Sequence, residues 1–176
     1  GSGSEGVLSK KGIDVSSWQR NVDYSRVKAS GVEFVMVRAG FGDNLDSRYV
    51  SHIRGAQAAG LPVGIYWFSY ALNEIEARAE AALCVKAIKG FDIAYPVAYD
   101  FEYESVNNYE KSVRNGRMTR ALATSIVRAF CDEIKRAGYR AAVYSNYDFL
   151  AKYIDIGKVG AELWLAHWQD ADPPVE

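Results

Sequence analysis

Tyr95-Pro96-Val97-Ala98-Tyr99-Asp100-Phe101-Glu102 is an apolar run that ends in two carboxylates with one residue between them. It reads as a central strand of a parallel sheet. Side chains alternate faces along a strand, so Asp100 and Glu102 project to one side, their α-carbons about 6.5–7 Å apart, while Phe101 packs on the other. Two like charges held that close do not both ionise freely. One pKa is expected to rise into the range of a general acid while the other stays low. Acids at strand ends also serve as helix caps or solvated loop starts, so the pair is weighed together with its neighbours.

Just upstream, residues 61–70 predict a strand with aromatics crowded at its far end. Asn73 with Glu76 then forms a capping-box pattern, opening a helix whose face of Ile75, Ala79, Ala82 and Leu83 runs to Gly90. Residues 33–40 are a nearly continuous apolar run with a late Arg38, the pattern of a strand buried on both faces. A loop over 41–46 and a helix with Tyr49, Ile53 and Ala56 on one face, stopping at Gly60, separate the two strands. Residues 12–17 make the first strand, which enters a polar, aromatic turn at Trp18-Gln19. Asp23 is an N-cap candidate for a helix ending near Gly31, with Val22 placed to staple onto Val27. Asp14 lies inside an apolar strand, where an unpaired charge is costly. It is either a carboxylate capped by backbone donors or an acid facing substrate.

Downstream, residues 103–117 are polar and read as an excursion at the active end, where loops usually shape a site. Thr119 can cap a helix with Leu122, Ile126, Ala129, Phe130 and Ile134 on one side, closed by Gly138. Residues 140–146 predict a fifth strand, 147–153 a short helix and 162–168 a sixth strand. Strict alternation of strand and helix argues for a parallel sheet with crossover helices. The polar exceptions lie at the strands' carboxyl ends, where barrel enzymes place their sites.

A chain of 176 residues suits one α/β domain. Lys and Arg number 21 against 22 Asp and Glu, so no field favours polyanions and a nucleic-acid partner is not expected. No segment approaches the roughly 18 consecutive apolar residues of a membrane span. The 12 Tyr and 4 Trp exceed what a core requires and suggest stacking on sugar rings. Cys84 and Cys131 fall in helical stretches and read as free buried thiols or a bridge between neighbouring helices. His52 and His167 form no metal-ligand pattern, so neither metal nor cofactor is expected. Residues 1–6, Gly-Ser-Gly-Ser-Glu-Gly, resemble a cloning remnant and stand apart from the domain assigned to 7–176.

Six motifs in order carry a resemblance: Gly12-Ile13-Asp14-Val15-Ser16 with Trp18-Gln19, Val37-Arg38-Ala39-Gly40, Gly64-Ile65-Tyr66-Trp67-Phe68, Asp100-Phe101-Glu102, Tyr144-Ser145-Asn146 and Leu163-Trp164-Leu165-Ala166. From Lys11 to about Trp168 the chain resembles the family 25 glycoside hydrolases, the muramidases or lysozymes of bacterial and phage origin. The resemblance implies an irregular, TIM-like β/α barrel. It also implies cleavage of the β-1,4 bond between N-acetylmuramic acid and N-acetylglucosamine in bacterial peptidoglycan, outside the cell, at the wall or after phage lysis. By motif position Glu102 looks like the general acid. Asp100 looks like a nucleophile or the group that steadies a substrate acetamido group, and Asp14 like the family's first-strand acid. Two carboxylates and an oxocarbenium-like transition state are what glycoside hydrolysis demands, substrate-assisted enzymes being an exception. Tyr66, Phe68, Tyr144, Trp164 and Trp168 could form a platform for sugar faces. Arg38 could meet a muramyl lactate or peptide carboxylate bidentately.

Family members normally continue past the sixth strand with two more, the last carrying a groove Asp, whereas this chain stops at Pro173-Pro174-Val175-Glu176. A barrel lacking its last two strands is therefore expected, with unpaired edges on strands one and six that invite partners, a strand-swapped oligomer among them. Full activity of the chain as it stands is in question on that reading. A non-catalytic peptidoglycan-binding module of the same fold is the alternative function. A third, a Mg²⁺ enzyme using Asp14, Asp100 and Glu102, follows from hard oxygen ligands at strand ends.

Overall fold

The structure, a computed structural model, describes residues 10–165. Strands β1 (Gly12–Val15), β2 (Phe34–Phe41), β4 (Val63–Phe68), β5 (Val97–Asp100), β6 (Ala141–Ser145) and β7 (Glu162–Leu165) lie side by side in that order. All their pairings are parallel. A two-residue strand, β3 (Asn44–Leu45), runs antiparallel to the end of β2. Among the described residues β1 and β7 are the edges, so the sheet is a half-barrel rather than a closed ring.

The crossovers are α1 (Tyr24–Ala29), α2 (Tyr49–Ala58), α3 (Glu74–Ile88), α5 (Arg120–Arg136) and α6 (Tyr147–Tyr153). Three of them start at caps expected from the sequence. Asp23, Asn73 and Thr119 each accept from the backbone N–H three residues on, at Arg26, Glu76 and Leu122. The large core lies between the helices and the sheet's outer face, with Val35, Val37, Ile65, Trp67, Val97, Tyr99 and Val143 pointing into it. Period-two alternation sends the intervening residues inward. There Phe34, Met36, Ala98, Ala142, Tyr144 and Trp164 form a second, smaller cluster with Tyr66 and Tyr95. Cys84 and Cys131 are free and buried.

Two expectations are corrected. The polar excursion holds a helix, α4 (Tyr103–Ser112), because Val106 and Tyr109 anchor it to the main core and Ser105 is buried at its start, while most of its other side chains meet solvent. The loop at 41–46 contains β3, paired where the register of β2 against β4 shifts between Arg38 and Gly40. The last residues of the expected sixth strand, Ala166 to Trp168, lie outside the described residues. No helix among those described is long and apolar enough to cross a membrane.

Candidate active site

Strand β5 ends at Asp100, and Glu102 is the N-cap of α4, its N–H bonded to the Ser105 hydroxyl at 3.2 Å. Phe101 between them is buried in the main core. The alternation expected from the sequence therefore survives the strand end, and the two acids meet on the inner side. Their carboxyls are close enough in effect for each to shift the proton affinity of the other. Asp100 is buried, and its Oδ1 has no hydrogen-bond partner among the described residues.

Both acids are pushed up, where the sequence led us to expect one raised and one low. Burial lifts Asp100 well above the carboxylate range, and the neighbouring Glu102 charge, then Asp14 and Glu104, add to it. Glu102 is raised by burial, lowered by the hydrogen bond from Asp100, and raised again by Glu104 and Asp14.

A groove of about 650 Å³ opens beside the pair, lined by Ser16, Ser17, Trp18, Arg38, Phe41, Tyr66, Phe68, Tyr70, Asp100, Glu102 and Glu104. That volume suits a small-molecule site. Sheet register explains the company: Phe68, Asp100, Tyr144 and Trp164 are successive partners across four strands, and Arg38, Tyr66 and Ala98 across three. Asp14 sits on β1 opposite Met36, and its charge is felt at Tyr66, Asp100, Glu102 and Tyr144.

Arg38 is tied down inside the protein. Its Nε donates to Asp46 Oδ2 at 2.9 Å, its Nη2 to Ser17 Oγ at 3.1 Å, and its guanidinium lies 4.7 Å from the centre of the Phe41 ring. Asp46 also accepts from the Ser17 and Arg48 amides at 2.9 and 2.8 Å. The Nε and Nη2 donors of a bidentate fork are thus engaged by internal partners. Across the loop, buried His52 bonds through Nε2 to the Ser16 carbonyl at 2.8 Å and through Nδ1 to Tyr24 Oη at 2.5 Å. These ties present Trp18, which is 83% exposed, at the groove's rim.

Of the expected aromatics, Tyr66 and Phe68 line the groove. Tyr144 is buried in the inner cluster, and Trp164 packs edge-on against Phe34 and Tyr95. Neither lines the groove, and Trp168 lies outside the described residues. Four residues escaped the sequence reading. Trp18 stood in a recognised motif and Tyr70 in an aromatic cluster, so both had a signal. Glu104 continues the spacing of Asp100 and Glu102, whereas Asp46, in a loop, had none. Among the described residues no three His, Cys, Asp or Glu side chains converge as metal ligands.

Over residues 13–176 the sequence matches a family model described as Glycosyl hydrolases family 25. It is 38% identical to Lysozyme M1 of Streptomyces globisporus, covering 94% of this chain and 57% of that protein. It is 29% identical to the Autolytic lysozyme of Clostridium acetobutylicum, covering 94% of this chain and 47% of the other. The chain spans about half the length of these curated relatives. Among solved structures, the modular autolysin LytC of Streptococcus pneumoniae superposes with a TM-score of 0.75 at 26% identity, over 94% of this chain and 40% of that one. LytC has also been solved in complex with a synthetic peptidoglycan ligand.

Proposed function

The chain belongs to glycosyl hydrolases family 25, and we propose that it is a muramidase working at the bacterial cell wall, with residues 7–176 as its catalytic domain. It hydrolyses the β-1,4 bond between N-acetylmuramic acid and N-acetylglucosamine in peptidoglycan. The observation that carries this reading is the Asp100 and Glu102 pair at the carboxyl end of β5, both lining one groove.

Of the two roles open to Asp100, that of steadying the substrate's acetamido group suits it best, because it is buried beside Glu102 with one oxygen that has no hydrogen-bond partner among the described residues. Substrate-assisted hydrolysis needs one acid and such a group rather than two carboxylates that flank the bond. Glu102 then protonates the leaving oxygen as the C1–O bond breaks, and the substrate's own acetamido oxygen bonds to C1. Asp100 accepts the acetamido N–H, a use for its unpartnered Oδ1. Water next attacks C1, Glu102 takes its proton, and the acetamide is restored. Asp14 adds negative charge facing the cationic transition state. Trp18, Tyr66 and Phe68 offer faces for sugar rings, and Arg38 supports the loop that carries Trp18.

Turbidity loss of purified cell walls and release of reducing ends test the assignment. Glu102→Gln should abolish both while the protein still sediments with insoluble peptidoglycan; equal clearing by variant and wild type would refute Glu102 as the acid. A wild type that sediments with the wall and never releases reducing ends would make the domain a binding module. A muramyl thiazoline, which mimics the cyclised acetamido group, should inhibit, and its indifference would return Asp100 to the nucleophile's role.

A further inference from the structure

Glu80 lies on α3, on the helix side of the sheet, and is buried away from the groove. A carboxyl in that position is costly unless its oxygens are used. Both are. Oε2 accepts the backbone N–H of Tyr70 at 3.0 Å, and Oε1 accepts the hydroxyl of Tyr99. The Tyr99 hydroxyl in turn accepts from Ser69 Oγ at 2.8 Å, and the Ser69 N–H donates to the Asp100 carbonyl at 2.9 Å.

Tyr70 is the residue through which this network reaches the groove. Its hydroxyl donates to Glu104 Oε1 at 2.6 Å, and its carbonyl accepts from Asn108 Nδ2 at 3.2 Å. It lines the groove on one side and, on the other, a separate cavity of about 430 Å³ that Glu80 also lines. A partition with space on both faces depends on its hydrogen bonds as well as on the Phe68 ring, whose centre lies 5.2 Å from that of the Tyr70 ring. Glu80 supplies the bond to its amide and, through Tyr99 and Ser69, steadies the end of β5 that carries Asp100.

We propose that Glu80 is a positioning residue for the reaction, fixing Tyr70 and Glu104 against the Asp100–Glu102 pair from behind the groove wall. The clamp works in either protonation state, because Oε2 accepts from the Tyr70 amide whether or not Oε1 carries a proton. The inference rests on the muramidase reading for its kinetic consequence, but the clamp itself has a readout that does not need turnover.

Hydrogen exchange at the Tyr70 amide is followed alongside kcat and KM on soluble peptidoglycan fragments, in wild type, Glu80→Leu, Glu80→Gln and Tyr70→Phe. Glu80→Leu should speed exchange at Tyr70 about tenfold or more while amides in the middle of α3 stay protected. It should lower kcat by about 10–100-fold, the scale of a small misplacement in an active site, with KM changed far less. Glu80→Gln should restore most of both, since its amide oxygen can accept from Tyr70 and its NH₂ can donate to Tyr99. The losses in Glu80→Leu and Tyr70→Phe should fail to add when combined. Unchanged exchange at Tyr70, a Gln variant no better than Leu, or strictly multiplying losses would overturn the proposal. Should Glu80→Leu not fold, Tyr99→Phe takes its place: it keeps the stack on Phe130 at 3.9 Å and removes one donor to Glu80. Unchanged exchange and kcat there would be equally fatal. A wild type without turnover but with the exchange pattern intact would sink the muramidase reading and leave the clamp standing.

Discussion

The same strands build both ends of the half-barrel's inner face, and the two ends have opposite chemistry. At the amino end of β2 Phe34 stacks on Tyr95 with ring centres 4.6 Å apart, and Trp164, reaching across from the far part of β7, stands edge-on to both. Two rungs along, Arg38 follows Met36 and Asp100 follows Ala98, and the face becomes charged. One end is an apolar plug; the other gathers Asp14, Asp100, Glu102 and Glu104 and leaves a buried oxygen unpaired. Parallel β/α sheets separate stability from chemistry along the strand axis in this way. The separation here is sharp enough to test by substitution at each end.

The largest effects should come from crossing the two. With Glu102 as the proposed proton donor, Glu102→Gln should cut kcat by about 10²–10⁴-fold, with the melting temperature held or raised. Phe34→Ala should do the reverse, costing about 3–5 kcal/mol of unfolding free energy in a denaturant titration while the enzyme that remains folded keeps its kcat. A fall of both quantities in either variant would break the division between the ends.

The next effect sharpens it through pH. Burial pushes Glu80 up to about 8 from 4.5, with Glu76 and Asp43 adding to the rise and the bonds from Tyr99 and Tyr70 opposing it. A raised carboxyl stabilises the fold fully below its unfolded pKa and loses that contribution as pH rises through the folded one. Stability should therefore fall between about pH 4.5 and 8, by up to roughly 4–5 kcal/mol from this group. Asp100 and Glu102, also raised, act in the same direction. Urea midpoints measured across that window should flatten in Glu80→Gln and move down in parallel in Phe34→Ala. Asp100→Asn should be smaller still: a loss of kcat of about 10²–10³-fold, with stability gained above neutral pH because a buried acid has been removed.

How much of this was legible beforehand depended on whether a residue's role is local. The six parallel strands follow from apolar runs and caps that lie next to each other in sequence, and Asp100 with Glu102 follows from the two-residue period of a strand. Helix α4 was missed because only Val106 and Tyr109 face the core, too few to lift a polar segment above the loop pattern. Trp164 was expected at the groove because it sits at the end of β7; that it lies against Phe34 and Tyr95 depends on contacts from distant segments. Asp46 and Glu80 were invisible for the same reason. Each acts on a residue eight or more positions away, and nothing in an acid's own neighbourhood says which amide it will meet.

The smallest predicted effect concerns a residue with no side chain. A Cβ at Gly12 would lie 2.1 Å from the Phe34 ring, so the first strand can approach the plug only because position 12 is glycine. Gly12→Ala must push that ring against Tyr95 and Trp164 or tilt β1 away from β2, overpacking that costs about 1–3 kcal/mol. Asp14 is two residues further along the same strand. If the strand tilts, the acid moves with it and kcat falls together with stability; if the ring yields, only stability falls. The plug is soft aromatic packing, whereas β1 is bonded to β2 along its whole length, so the ring should yield. A thermal melt lowered by a few degrees beside an unchanged kcat is the expected result, and a joint loss would show that the two ends are mechanically one.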